Sequence, residues 1–257
     1  MNISNPKLSL IIPVYNAESF ITENIQTIVS FFGNQLSEIE IIMIDDGSTD
    51  KTCEKIYPFI CPNIHLIRLE KNKGKFAALK AGIESARGSC CIFTDADLPY
   101  DMEAFHYIES LVNNRGMHIV VGDRSLPESG SLVKSSIIRR CATLIFTFSV
   151  RMLVTGGLFD TQCGLKGFRK DIAKPLFSLV QDLSFSGDVE LLYIALKYNL
   201  EIKRIPVKLK KQGLTTIRLF SDSIGMFFSI MKLKINWING KYYSEELQKL
   251  SSQKYWN

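Results

Sequence analysis

The chain has 257 residues, 46% hydrophobic and 22% charged, with 16 Gly and 8 Pro, which fits one folded α/β unit with or without an appendage. Those proportions exclude collagen, wholesale disorder and a polytopic membrane protein. The net charge of +5 hides a gradient, from −3 over residues 1–100 through +1 over 101–200 to +7 over 201–257. A basic C-terminal part suits an anionic partner such as a membrane surface, and no nucleic-acid partner is expected, since the sequence carries no recognisable reading module.

In chain order, the N-terminal Met-Asn-Ile-Ser-Asn-Pro-Lys has no apolar signal core, so a chain that is not secreted is expected. Leu8 to Val14 reads as a strand, and Ile21, Ile25, Ile28, Val29 and Phe32 then recur at helical spacing. Ile39 to Ile44 reads as a second strand that ends in Asp45-Asp-Gly-Ser-Thr-Asp50, whose small polar residues stop it and can cap a helix. Ile64 to Leu69 repeats the pattern before Asn72-Lys-Gly-Lys75, and Cys90 to Thr94 leads into Asp95-Ala-Asp97. This alternation predicts an α/β fold with a largely parallel sheet whose polar loops converge on one cleft beyond the strand ends. Ile119 to Gly122 and Ile202 to Leu209 add further strands.

Residues 133–159 are mostly apolar, yet they contain Lys134, Arg139, Arg140 and Arg151 and have no uncharged run of bilayer length. Over 218–238, Phe220, Ile224, Phe227, Phe228, Met231, Ile235 and Ile238 fall on one helical face, while Arg218, Asp222, Lys232 and Lys234 fall elsewhere. Such a helix either lies in a membrane interface or packs on the core. Residues 244–257 read as a polar, frayed tail. The six cysteines, at 53, 61, 90, 91, 141 and 163, lack paired metal-site spacing and read as reduced, cytosolic thiols.

Two groups of carboxylates bear chemistry. Asp95 and Asp97, two residues apart just past a strand, can both reach one hard cation, Mg²⁺ or Mn²⁺, of the kind that shares its oxygen ligands with substrate phosphates. Asp45 and Asp46 can accept hydrogen bonds from a base or ribose, or simply cap a turn.

The order and spacing of Pro13-Val-Tyr-Asn-Ala17, Asp45-Asp-Gly-Ser-Thr-Asp50, Asn72-Lys-Gly-Lys75 and Asp95-Ala-Asp-Leu98 resemble glycosyltransferase family 2. Gly122-Asp-Arg-Ser125, the pair Arg139-Arg140, Asp160-Thr-Gln-Cys-Gly-Leu-Lys-Gly-Phe168 and Phe185-Ser-Gly-Asp-Val-Glu-Leu-Leu192 resemble its polyprenyl-phosphate and dolichyl-phosphate hexosyltransferase branch. The resemblance spans about residues 8–215. It implies the GT-A fold, a nucleotide-sugar-binding, Rossmann-like mixed sheet flanked by helices. It also implies inverting transfer of a hexose, glucose from UDP-glucose, to a polyprenyl phosphate.

Carried over by motif, Pro13, Tyr15 and Asp46 would contact the nucleotide, and Asp95 and Asp97 would hold the diphosphate and a Mg²⁺ or Mn²⁺. Arg124 would neutralise phosphate or form a structural salt bridge, and Arg139 and Arg140 would hold the acceptor phosphate or line a basic helix face. Gln162 and Lys166 belong to the acceptor-side motif, or to a turn packed on the sheet. Asp97, Asp188 and Arg124 are the expected catalytic set; in this branch Asp188 would orient sugar or acceptor, or complete the metal environment, with Glu190 close by in sequence. Lys73 and Lys75 belong to the Asn72-Lys-Gly-Lys75 motif or are solvated positions at a helix start, and Cys163 reads as a small buried residue.

The expected organisation is a GT-A domain over 1–215, an amphipathic membrane-interface segment over 216–243 and a polar tail over 244–257. The expected location is the cytoplasmic membrane face, as a peripheral enzyme. Transfer to a sugar hydroxyl, which needs a base, and a non-catalytic nucleotide-sugar-binding protein are the alternatives.

Overall fold

Seven strands form one sheet in a computed structural model that describes residues 5–130, 160–183, 187–210 and 231–252. The strands are β1 (Leu8–Val14), β2 (Ile39–Asp45), β3 (Ile64–Arg68), β4 (Cys90–Phe93), β5 (Ile119–Asp123), β6 (Lys166–Arg169) and β7 (Ile202–Pro206), ordered β3-β2-β1-β4-β6-β5-β7. All pairings are parallel except the two that β6 makes, with β4 and β5. Reversal of this one strand sets Lys166 opposite Phe93, at the end of the sheet where the chain leaves β4 for Asp95. Acceptor-motif and carboxylate-pair residues therefore meet at one edge.

Every residue of β2 is buried because helices cover both faces of the sheet. On one face Ile42 and Ile44 pack with Phe76, Leu79, Phe168 and Phe177, drawn from α3 (Lys75–Ser85), β6 and α5 (Lys170–Leu179). On the other, Ile41 and Met43 pack with Ile25, Ile28 and Phe32 of α1 (Ile21–Phe32) and Phe105 and Ile108 of α4 (Glu103–Asn113). The short α2 (Thr52–Ile56) follows β2. Pro13 is tolerated in the central β1 because it faces the β4 side beyond the last paired residues, Ile11 and Phe93, where a missing N–H costs no ladder bond.

Strands β1 to β5 and β7 lie where the sequence pattern puts them, within a few residues. Strand β6 escapes the pattern, since its four residues, Lys-Gly-Phe-Arg, show no alternation. The tail also differs from expectation: α7 (Glu245–Ser252) buries Leu247 in the core, so 245–252 is an ordered helix rather than a frayed end. Before it, residues 231–238 are helical, and α6 (Gly187–Lys197) lies beneath them. Glu190 of α6 accepts from the Tyr242 hydroxyl at 2.5 Å, and Tyr198 donates to the Tyr242 carbonyl at 2.6 Å. Arg139, Arg140, the rest of 133–159 and residues 218–230 of the amphipathic segment lie outside the described residues.

Candidate active site

The loops after β1 and β2 are stitched together. The Asn16 N–H donates to Ser48 Oγ at 2.9 Å, the Asn16 side-chain oxygen accepts from the Thr49 N–H at 3.0 Å, and the Ala17 N–H donates to Thr52 Oγ1 at 2.7 Å. Tyr15 is exposed on this rim. Asp45 and Asp46 divide their tasks: Asp45 caps its own turn through the Ser48 N–H, at 3.1 Å, while both oxygens of the buried Asp46 accept backbone N–H groups, from Lys73 at 2.8 Å and Gly74 at 2.9 Å. Gly47 is required directly after them, because at its φ of +72° a side chain is strained, and a Cβ would stand 2.5 Å from the Lys71 carbonyl carbon.

Asp46 thereby aims the start of α3. Lys75, its first residue, reaches Asp95 Oδ1 at 2.5 Å. Burial works against the Lys75 charge, but Asp95 and then Asp188 more than offset it and raise its pKa above the ordinary lysine value. The second Asp95 oxygen lies over Gly164, where an added Cβ would stand only 1.8 Å away. Asn24 of α1 steadies the middle of the carboxylate pair by donating to the Ala96 carbonyl at 2.7 Å.

The turn ahead of β6 closes the other side. Lys166, fully buried, donates to the Cys163 carbonyl at 2.7 Å and forms an ion pair with Asp188, the second residue of α6. The Lys166 ammonium also stands 5.2 Å from the centroid of the Phe93 ring. Tyr100 accepts the Gly164 N–H at 3.2 Å. Arg124 forks onto Asp160, Nε to Oδ2 at 2.7 Å and a terminal nitrogen to Oδ1 at 2.8 Å. Burial alone would raise the Asp160 carboxyl, yet the Arg124 guanidinium holds it below the usual range. Burial pushes the Cys163 thiol up to about 11, which leaves it a poor nucleophile.

The structure thus gathers Asp95, Arg124 and Asp188, through Lys75, Lys166, Asp160 and Tyr100, into one continuous set of charged and polar groups. Asp97 follows on the same loop, half-buried, and Gln162 sits in the turn with its side-chain nitrogen buried and, among the described residues, without a hydrogen-bond partner. Glu190 faces away, accepting from Asp182 N–H at 2.7 Å and from Tyr242, so it holds the C-terminal segment. Lys75, which the sequence offers either as part of the Asn72-Lys-Gly-Lys75 motif or as a solvated lysine at a helix start, is ion-paired within the site. Nothing local in the sequence points to Asn24, and Gly164 is covered only as one residue of the Asp160–Phe168 motif.

Asp95 and Asp97 are hard oxygen donors suited to Mg²⁺ or Mn²⁺. Among the described residues no group of three or more His, Cys, Asp or Glu that could hold a metal ion is present.

The protein is thus an open α/β protein whose charged cluster lies beyond the carboxyl ends of its strands, where such sheets have their ligand crevice. Within that class, the chain belongs to glycosyltransferase family 2, whose model, described as "Glycosyl transferase family 2", matches residues 9–177. It is 32% identical over 251 residues to a dolichyl-phosphate beta-glucosyltransferase of Dictyostelium discoideum, covering 93% of this chain and 77% of that one. The dolichyl-phosphate beta-glucosyltransferase of Homo sapiens is 27% identical, with 95% and 80% covered. Among solved structures, glucosyl-3-phosphoglycerate synthase from Mycobacterium tuberculosis with UDP superposes with a TM-score of 0.64 at 18% identity, covering 89% of this chain and 80% of that one. S. aureus TarS residues 1–349 give 0.58 at 18%, covering 91% and 66%. These likenesses show the GT-A fold.

Proposed function

We propose that this glycosyltransferase moves a hexose, glucose from UDP-glucose, with inversion onto a polyprenyl or dolichyl phosphate, aided by Mg²⁺ or Mn²⁺ at Asp95 and Asp97. One observation carries the choice of acceptor: Asp188, the carboxylate a hydroxyl acceptor would need as its base, is locked in a buried ion pair with Lys166, the two side chains 2% and 0% exposed. A phosphate monoester needs no base, because its second pKa is about 6 and it is largely dianionic at neutral pH. Its oxygen attacks C1 of the sugar, the bond from C1 to the diphosphate oxygen breaks, and the nucleoside diphosphate leaves with the electron pair. No proton has to move. The names of the similar proteins from Dictyostelium and human support the glucosyl and dolichyl assignments, and the M. tuberculosis synthase, crystallised with Mn²⁺ and UDP-glucose, supports the donor and the metal.

In this reading Pro13, Tyr15 and the Asp46 clamp form the nucleotide side. The cation supplies charge neutralisation to the departing diphosphate. Arg124, fixed by Asp160, presents its remaining N–H groups to phosphate, Asp188 and Lys166 hold the floor beneath the sugar, and Gln162 lies on the acceptor side with a buried donor that has no partner among the described residues.

The acceptor places the enzyme at a lipid surface. Among the described residues no helix is long and apolar enough to cross a membrane. The 231–238 helix turns Leu233 and Asn236 inward and leaves Met231, Ile235 and Ile238 exposed by 43%, 52% and 81%, beside the exposed Lys232 and Lys241. That stripe favours peripheral attachment to an anionic, cytoplasmic leaflet over packing on the core.

Transfer of labelled glucose from UDP-glucose to a short polyprenyl phosphate, extracted into organic solvent, tests the reaction. Metal-dependent organic label that EDTA abolishes is expected. Metal-dependent donor hydrolysis without organic label would move the acceptor to a hydroxyl, and UDP-glucose binding without turnover would leave a sugar-nucleotide sensor. Flotation with anionic vesicles, lost on Ile235→Glu with Ile238→Glu, tests the attachment.

A further inference from the structure

Asp95 carries two demands that compete. Its Oδ1 is 2.5 Å from the Lys75 ammonium, while its place beside Asp97 fits it to a divalent cation. An ammonium at hydrogen-bond distance and a divalent ion on the same carboxylate repel each other strongly in a half-buried cleft.

The two lysines of the site differ in their freedom to resolve this conflict. Lys166 and Asp188 are sealed, whereas Lys75 and Asp95 are 21% and 34% exposed. The backbone that launches Lys75 is fixed by the Asp46 clamp, so only its flexible four-carbon stem can move. Asp188, the next acidic group to act on Lys75, is already matched by Lys166. Of the two carboxylates that act on Lys75, neither is then open to receive it, whereas the diphosphate of the donor brings a negative charge that is.

We propose that Lys75 is a movable counter-ion that guards Asp95 in the empty enzyme and passes to the diphosphate when donor and metal enter together. The guard makes metal binding depend on the nucleotide: Mn²⁺ alone competes with an ammonium already in place, while Mn²⁺ with UDP brings the anion that draws the ammonium away. This inference rests on the metal-dependent donor site proposed above, and its test separates the two.

The experiment is a Mn²⁺ titration of the full chain, read by the electron paramagnetic resonance signal of free Mn²⁺, without and with saturating UDP. For the unaltered protein, Mn²⁺ affinity is expected to rise at least tenfold with UDP. Lys75→Met is expected to bind Mn²⁺ alone at least tenfold more tightly than the unaltered protein and to lose most of the UDP effect; Lys75→Arg, which keeps the charge, is expected to retain it. Thermal unfolding confirms that each variant is folded, and Lys75→Gln replaces Lys75→Met if the latter is not. A Lys75→Met affinity for Mn²⁺ alone that is unchanged or weaker overturns the guard and leaves the metal site standing. Absence of Mn²⁺ binding to the unaltered protein even with UDP overturns both.

Discussion

Gly164→Ala is the sharpest probe of the site, because it adds one methyl group at a single defined place. The new Cβ would stand 1.8 Å from Asp95 Oδ2 and 2.6 Å from its carboxyl carbon, so reaching even 3.0 Å from that oxygen demands a shift of about 1.2 Å. The turn cannot yield freely, since Tyr100 holds the Gly164 N–H and Lys166 holds the Cys163 carbonyl. Asp95 must move instead, and it is tied to Lys75. Displacement of a positioning group by about 1 Å costs about 100-fold in rate, or about 2.7 kcal/mol of transition-state stabilisation. Overpacking adds a stability loss of about 1–3 kcal/mol. Expected, then, is a drop of about 100-fold in kcat/KM for the donor in the glucosyl-transfer assay, with a folded protein and a modestly lowered Tm. Gly130→Ala is the control: among the described residues its Cβ would meet only Lys208 Cγ, at 3.8 Å, and it should leave both quantities unchanged. A Gly164→Ala enzyme within threefold of the unaltered one would refute the placement of Asp95 against this turn.

The remaining predictions concern stability. Lys166→Met or Asp188→Asn alone strands one buried charged or polar partner and should cost about 3–5 kcal/mol in urea unfolding, while the double variant should cost clearly less than the sum; strict additivity would contradict the ion pair. Glu40, buried near the start of β2, accepts from Ser9 Oγ at 2.5 Å and from Arg87 Nε at 2.9 Å; burial raises its pKa, but these bonds and the Arg87 charge bring it below 4.5. Its contribution is therefore complete above about pH 4.5 and lost as pH falls through the lower folded value, so Glu40→Gln should cost about 1.5–3 kcal/mol at pH 7 and much less at pH 3. Denaturant midpoints at the two pH values check this, and an equal gap at both would refute it. Tyr242→Phe leaves Glu190 without its hydroxyl donor and should cost about 1–3 kcal/mol, with faster amide exchange over 231–252 if that bond anchors the segment.

Much of this protein is legible along the chain. Strands β1, β2 and β4 are apolar runs cut short by small polar residues, and a parallel sheet sends their ends to one side, so Asp46 and Asp95 could be assigned to a common cleft from the one-dimensional pattern. The motifs carried the family for the same reason: they are local strings at loop positions, and the matched region, residues 9–177, contains most of them. What a local string cannot express is a meeting between distant segments. Strand β6 has too few residues for a periodic signal, yet its reversal brings Lys166 beside Asp188, 22 residues further on, and sets Gly164 beneath Asp95. Lys75 looks like any solvated lysine at a helix start until the Asp46 clamp aims it at Asp95, and Glu190 looks as catalytic as Asp188 until Tyr242 claims it. The sequence by itself determined six of the seven strands, the polar loops and the family, because these depend on neighbours within a few residues. Only the tertiary structure decided which charge faces which, because burial and pairing of ionic groups are properties of the assembled sheet.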